Sequence, residues 1–356
     1  MACNPFGESQ SDSSFHPTVQ SPNTTTSGPG IVAIQNGGTG QTTLVGARNA
    51  LLPDQSGNSG KFLQSDGTQV SWANPAMDPS IAGGRLTLLP GNPVSTTNIT
   101  NASTIYYSPY RSDRIALYDG STWNLVGFTE LSLKFENLTA NTNYDIFIYN
   151  NSGTPKLEWS AAWASNTART DSLVRQNGVW VKGINSTRRY LGTIRTTGAN
   201  TTADNNYTRF VFNATNRVQR MMATYETLDQ WYSSGINGTW APVNGGDSDW
   251  KHEFVLGLAE EPVVSNAFAS TSFNLYHLSI RLDNASDDRA RNFWILFEYG
   301  AVANFQDHPS IGYHWLQTME TTANTAAPYT VYGDYGQNCG GGQSCVNSGM
   351  RTELWQ

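Results

Sequence analysis

The feature that most restricts what this chain can fold into is its punctuation. Short runs of apolar or alternating residues recur between turn dipeptides, and no long stretch repeats at helical spacing. Such runs cover 85–89, 105–107, 114–118, 123–128, 131–135, 144–149, 156–159, 179–182 and 190–194. Asp119-Gly120, Asn151-Ser152-Gly153 and Asn177-Gly178 separate several of them. The run 173–181 turns at Asn177-Gly178 and predicts a hairpin, because that dipeptide accepts the positive φ angles of a tight two-residue loop. Asp145-Ile146-Phe147-Ile148-Tyr149 is apolar on both faces, as a central buried strand requires. Further strands are expected at 207–212, 217–224, 253–258, 275–282, 293–297 and 350–355. The spacing predicts an all-β fold of two β-sandwich, jelly-roll-like domains, at 83–198 and 199–356.

Composition supports strands and limits function. Only 14% of the 356 residues are charged while 12% are aromatic, and Asn, Ser, Thr and Gly are abundant. These residues favour turns and pleated strands over helices. A formal net charge of -7 argues against a general nucleic-acid surface, which needs clustered Lys and Arg. No apolar run reaches the roughly 20 residues that span a bilayer, so membrane insertion is not expected. Met1-Ala2-Cys3-Asn4-Pro5-Phe6-Gly7 lacks a charged and then apolar leader pattern, which predicts a chain made in a cytoplasm.

Residues 1–30 are polar and small apart from Phe6, Phe15 and Val19, and cannot offset the entropy of ordering by themselves. They are expected to form an extended arm that docks on a partner through Phe6 and Phe15. Residues 31–82 read as a Gly-rich linker and oligomerisation segment. Within it, Thr42 or Thr43 is placed to cap a short helix that ends before Pro53, and Asp66-Gly67 to turn a hairpin. A segment this thin would gain stability by packing against copies of itself.

Several stretches then show a family likeness. Asn36-Gly37-Gly38-Thr39-Gly40 with the helix after it, and the run from Gly60-Lys61-Phe62-Leu63 through Asp66-Gly67-Thr68 to Ser71-Trp72, resemble linker modules of tailed-bacteriophage fibre and appendage proteins. Ala116-Leu117-Tyr118-Asp119-Gly120, Tyr144-Asp145-Ile146-Phe147, Arg189-Tyr190-Leu191-Gly192-Thr193, Tyr207-Thr208-Arg209-Phe210-Val211-Phe212-Asn213, Asn216-Arg217-Val218 and the run Phe254 to Glu260 are similar to β domains of uncharacterised phage virion proteins. The resemblance implies location in a virion, assembly as a homotrimer, docking of residues 1–30 on capsid or tail proteins, and a fibre or spike role that includes adhesion to a host-surface glycan. A capsid decoration role is the alternative, and a polysaccharide-degrading enzyme the third reading.

The residues themselves predict no catalytic centre. Glu226 with Asp229, Asp247 with Asp249, and Glu260 with Glu261 are carboxylates close in sequence, a weak signal for glycosidase chemistry. His16, His252, His277, His308 and His314 are scattered, and no Gly-x-Ser-x-Gly elbow occurs. Asp283-Asn284-Ala285-Ser286-Asp287-Asp288 misses calcium-loop spacing and reads as a solvated turn. Cys339 and Cys345 have no nearby Cys or His pair for zinc, which leaves a loop disulfide or two free thiols. No metal or cofactor is expected. Sugars are held by aromatic faces with amide and hydroxyl groups, so a receptor surface is expected on loops of the second domain, at Trp231, Tyr232, Trp240, Trp250, Tyr329 and Tyr332.

Overall fold

Local chemistry sets the first unit of the chain, Met1–Ala76. The computed structural model describes residues 38–73, 77–246, 248–271, 275–283, 300–323, 329–333 and 348–356. The expectations for Phe6, Phe15, Asp247, Cys339, Cys345 and the run 293–297 lie outside the described residues. The helix is Leu44–Leu51, and the Thr43 Oγ1 accepts a hydrogen bond from the Gly46 N–H at 3.0 Å, as the cap reading required. The strands Phe62–Ser65 and Val70–Ala73 pair antiparallel. Their turn is closed by Asp66, whose carboxylate accepts from the Thr68 and Gln69 amides while Gly67 takes φ 94°. Trp72 Nε1 donates to the Pro53 carbonyl at 3.1 Å and ties the hairpin to the end of the helix. Leu44, Val45, Leu51, Phe62, Leu63 and Val70 all remain exposed, so the described residues of this unit form no apolar core.

The second unit, Met77–Gln356, begins six residues before the expected boundary. Arg189 is the reason: its guanidinium donates to the carbonyls of Pro79, Ser80, Ile81 and Ala116 at 2.7–3.2 Å and fastens the entering chain to the body. Burial lowers its pKa to about 10.

This unit is built of sheets whose described strand pairs are antiparallel except for one, confirming the all-β reading. In one sheet the strands run Thr154–Trp159, Asn143–Asn151, Asn185–Arg195, Val179–Lys182 and Leu173–Gln176, with Val211–Asn213 also paired to Asn185–Arg195. Asn143–Asn151 lies inside it, with residues 143–148 all buried, as its apolar run indicated. The Asn177-Gly178 turn adopts φ 50° and 85°, joining the expected hairpin.

Because strand side chains alternate between faces, this sheet feeds two cores. Ile146, Ile148, Leu191 and Val211 pack with Leu86, Ile105, Ile115, Leu117 and Phe135. Phe147, Tyr190 and Phe212 pack with Phe254, Leu256, Leu278, Ile280 and Leu316 on the other side. The expected domain boundary between residues 198 and 199 therefore does not separate the sheets. The predicted strand 207–212 also divides at Phe210. Thr208–Arg209 pairs parallel with Glu253 and Phe254, while Val211–Asn213 pairs with Gly192, Thr193 and Ile194. The chain crosses there from one sheet to the next, and Gly192 permits the approach: a Cβ on it would lie 2.0 Å from the Phe212 carbonyl oxygen.

Gly84–Thr87, Thr104–Pro109 and Leu131–Lys134 form a three-stranded sheet and Arg114–Tyr118 pairs with Trp123–Gly127, while two larger sheets border the second core. One runs Ala241–Pro242, Gly312–Thr322, Lys251–Leu256, Thr208–Arg209, Thr202–Asp204 and Ile99–Ala102, with Tyr276–Leu282 also paired to Gly312–Thr322. Its Ile99–Ala102 strand comes from the first half of the sequence, a second way in which the halves are joined. The other runs Gln219–Tyr225, Gly349–Trp355, Val263–Thr271, Thr330–Tyr332 and Gln230–Tyr232, with Gly300–Asp307 on Val263–Thr271.

Candidate functional site

The aromatic residues expected to bind sugar divide into two groups. Trp250 is fully buried and Trp231 is 6% exposed, which removes both from any ligand surface. Their rings meet at 5.7 Å, and each indole N–H is spent on a buried carboxylate: Trp250 Nε1 on Glu226 at 2.9 Å, Trp231 Nε1 on Glu320 at 3.2 Å. Glu226 accepts in addition from the Thr227 and Leu228 amides and from Asn244 Nδ2, and Glu320 from the Ser234 and Asn244 amides and the Tyr276 hydroxyl. Asn244 thus spans both carboxylates, in a left-handed conformation with φ 50°. With its acceptors filled from four sides, Glu226 anchors the 226–250 loops. Tyr232 stays 67% exposed and Trp240, Tyr329 and Tyr332 are half-buried. Tyr232 and Tyr332 come onto one face where Gln230–Tyr232 pairs with Thr330–Tyr332, because Trp231 and Val331 take the inward positions.

The remaining candidates are also engaged. Glu260 bonds Arg217 Nη2 at 2.6 Å and lies 3.6 Å from Arg175, while Glu261 lies 3.9 Å from Arg217. His252 is buried between Thr224 and Thr352, and desolvation lowers its pKa to about 3. His314 uses both ring nitrogens, on Asp283 and on the Ser310 carbonyl. Asp283 is correspondingly more than a solvated turn: it also accepts from the Trp315 amide and ties the end of Tyr276–Leu282 to Gly312–Thr322.

A different place combines the chemistry that sugar recognition needs. A cleft of about 470 Å³ opens beside the sheet that carries Ile99–Ala102, Thr208–Arg209, Lys251–Leu256 and Gly312–Thr322. Tyr207, Phe210 and Tyr313 supply aromatic surface, Asn101, Asn141 and Asn205 supply amides, and Thr100, Thr197 and Thr208 supply hydroxyls. Glu253 and Trp315 are paired across the strands, and Tyr313 lies two residues along on the same face. The Tyr313 hydroxyl donates to Glu253 Oε1, which Lys251 Nζ also reaches at 3.2 Å. Burial and that carboxylate hold the Tyr313 hydroxyl above the ordinary tyrosine range. Tyr207 stands at the rim, 44% exposed.

Arg195, the last residue of its strand, enters this cleft from the neighbouring sheet. It is 6% exposed and its guanidinium stacks 3.7 Å from the Tyr313 ring centre. Nη1 donates to Asn143 Oδ1 at 3.1 Å and Asn166 Oδ1 at 3.0 Å. Asn143 is oriented by its own Nδ2, which donates to the Asn166 carbonyl, and that carbonyl also accepts from the Tyr313 amide. Gly312 makes room for this loop: it has φ +122°, and a Cβ there would lie 2.2 Å from the Asn166 oxygen.

Neither Arg195 nor Tyr313 was singled out by sequence reading. An arginine closing a strand is an ordinary pattern, and its partners are distant in the chain. Tyr207 belonged to a predicted strand, and its position at a cleft rim depends on the crossing at Phe210.

No protein-family model matches the chain, and no curated protein matches it. Among solved structures, that of the Gx strain of infectious bursal disease virus aligns at 10% identity over 83% of this chain and 73% of the other, with a TM-score of 0.20. An exo-β-1,3-galactanase from Phanerochaete chrysosporium, crystallised with β-1,3-galactotriose, aligns at 12% identity over 78% of this chain and 91% of the other, with a TM-score of 0.15. Similarities this weak carry neither fold nor function across.

Proposed function

We propose that this chain is a non-enzymatic structural protein of a tailed-bacteriophage virion, a fibre or spike that holds a host-surface glycan in the cleft between Tyr207 and Tyr313. The observation that carries the reading is the lining of that cleft. Aromatic, amide and hydroxyl groups converge there with one buried arginine, the mixture that grips a sugar ring by its faces and its hydroxyls. Assembly is supported by the first unit, whose Leu44, Val45, Leu51, Phe62, Leu63 and Val70 are exposed and would be covered by other copies of the same segment. A closed trimer multiplies a weak sugar site, since one bound copy holds the others near their ligands.

The test is binding of the purified full chain to isolated host-surface polysaccharide. Saturable binding that falls at least tenfold in Tyr207→Ala supports the reading. Absence of binding, together with particles that lack the protein, adsorb normally and lose heat resistance, replaces it with a decoration role. Release of new reducing ends from the polysaccharide overturns the non-enzymatic part.

A further inference from the structure

Arg195 adds a requirement that a neutral sugar does not meet. Its two Nη1 hydrogens are taken by neutral amide oxygens of Asn143 and Asn166. Its Nε–Nη2 edge makes no hydrogen bond, and its guanidinium forms no ion pair, among the described residues. Neither of those two nitrogens is fully buried, and Arg195 lines the cleft. A guanidinium in a 6% exposed residue that is held by amides instead of a carboxylate keeps its charge uncompensated. Desolvation accordingly lowers its pKa, with Tyr313 and Glu253 opposing. The nearest acidic group in the lining, Glu253, is already shared between the Tyr313 hydroxyl and Lys251.

We propose that the cleft selects a sugar bearing a carboxylate, of the hexuronic acid type, which docks its two oxygens on the Nε–Nη2 edge of Arg195. The proposal rests on the cleft being the glycan site. Two parallel N–H donors match two carboxylate oxygens in one plane, a geometry a lysine ammonium does not reproduce. The Tyr313 ring on the guanidinium face, with Asn143 and Asn166 on Nη1, fixes the plane in advance, so little side-chain entropy is lost when the acid binds. The rim tyrosine, Tyr207, is left for the sugar ring.

The experiment titrates the full chain with a glucuronic acid disaccharide, with its methyl ester and with the matching neutral glucose disaccharide, followed by ligand-observed NMR. The acid is expected to bind at least tenfold more tightly than the ester or the neutral sugar. In Arg195→Lys the ratio of acid to neutral affinity is expected to fall at least tenfold, with thermal melts of both chains confirming that the variant folds. Raising the salt concentration should weaken the acid and leave the neutral sugar nearly unchanged. Equal affinity for acid, ester and neutral sugar, or an acid preference that survives Arg195→Lys, overturns the carboxylate proposal while the glycan reading of the cleft stands. Absence of binding by all three sugars overturns the carboxylate proposal. If host polysaccharide then also binds equally to wild type and Tyr207→Ala, the cleft reading fails as well. Should Arg195→Lys not fold, the ester comparison and the salt dependence decide by themselves.

Discussion

His252 should make the protein lose stability on mild acidification. Its ring is fully buried, with Nε2 3.0 Å from the Thr224 hydroxyl and Nδ1 2.7 Å from that of Thr352, and Arg209 adds to the penalty on its charged form. The folded pKa is about 3, whereas an unfolded histidine titrates near about 6.5. Below the higher value the unfolded chain binds a proton that the folded chain refuses, so stability falls as pH drops and the loss is complete only near the lower one. Each factor of ten in proton affinity is about 1.4 kcal/mol, which gives a loss of about 2 kcal/mol between pH 8 and pH 5 and about 4 kcal/mol by pH 3. That is a large part of a typical stability of about 5–15 kcal/mol. Urea unfolding at pH 8, 6 and 5 on wild type and His252→Gln measures it. The glutamine amide can still meet both threonines, and His277, whose pKa burial also lowers, cancels in the comparison. Wild type should lose about 2 kcal/mol more than the variant between pH 8 and pH 5. Parallel pH profiles would refute the neutral, buried state of His252.

Other substitutions test the same reasoning elsewhere. Trp250→Phe strips the indole donor from Glu226 and should cost about 1–3 kcal/mol in urea unfolding while leaving glycan affinity intact, because this ring faces the core. Arg169→Met removes the partner of the fully buried Asp145, which it bonds at 2.7 Å, and should cost about 3–5 kcal/mol, with Asp145→Asn in the same chain recovering part of the loss. Gly312→Ala puts a Cβ against the Asn166 carbonyl at positive φ, and should lower the melting temperature and weaken sugar binding together. Light scattering should give three times the monomer mass for the full chain and the monomer mass once residues 1–76 are removed.

How far the sequence could be read depended on whether the signal was local. Thr43 capping its helix, Asp66-Gly67 closing one hairpin and Asn177-Gly178 another all lie within a few residues of what they control. The double-sided run at 145–149 located the shared sheet but not its consequence, since alternation cannot tell which of two cores each face meets. Val263–Thr271 gives a weak strand signal because most of its inward side chains are small, Ser265, Ala267 and Ala269 among them, and read as loop composition. Trp231 and Trp250 read as surface rings from sequence because tryptophan suits both a ligand site and a core, and the carboxylates that decide between them, Glu226 and Glu320, lie far apart in the chain. The cleft was illegible for the same reason. Arg195, Tyr207, Glu253 and Tyr313 meet only after the chain crosses sheets at Phe210.

Chemical-shift mapping of the full chain with an oligosaccharide cut from the host surface tests the central claim most directly. The account predicts that perturbations centre on Arg195, Tyr207 and Tyr313. Perturbations confined to Tyr232, Tyr329 and Tyr332, with the cleft silent, would contradict it.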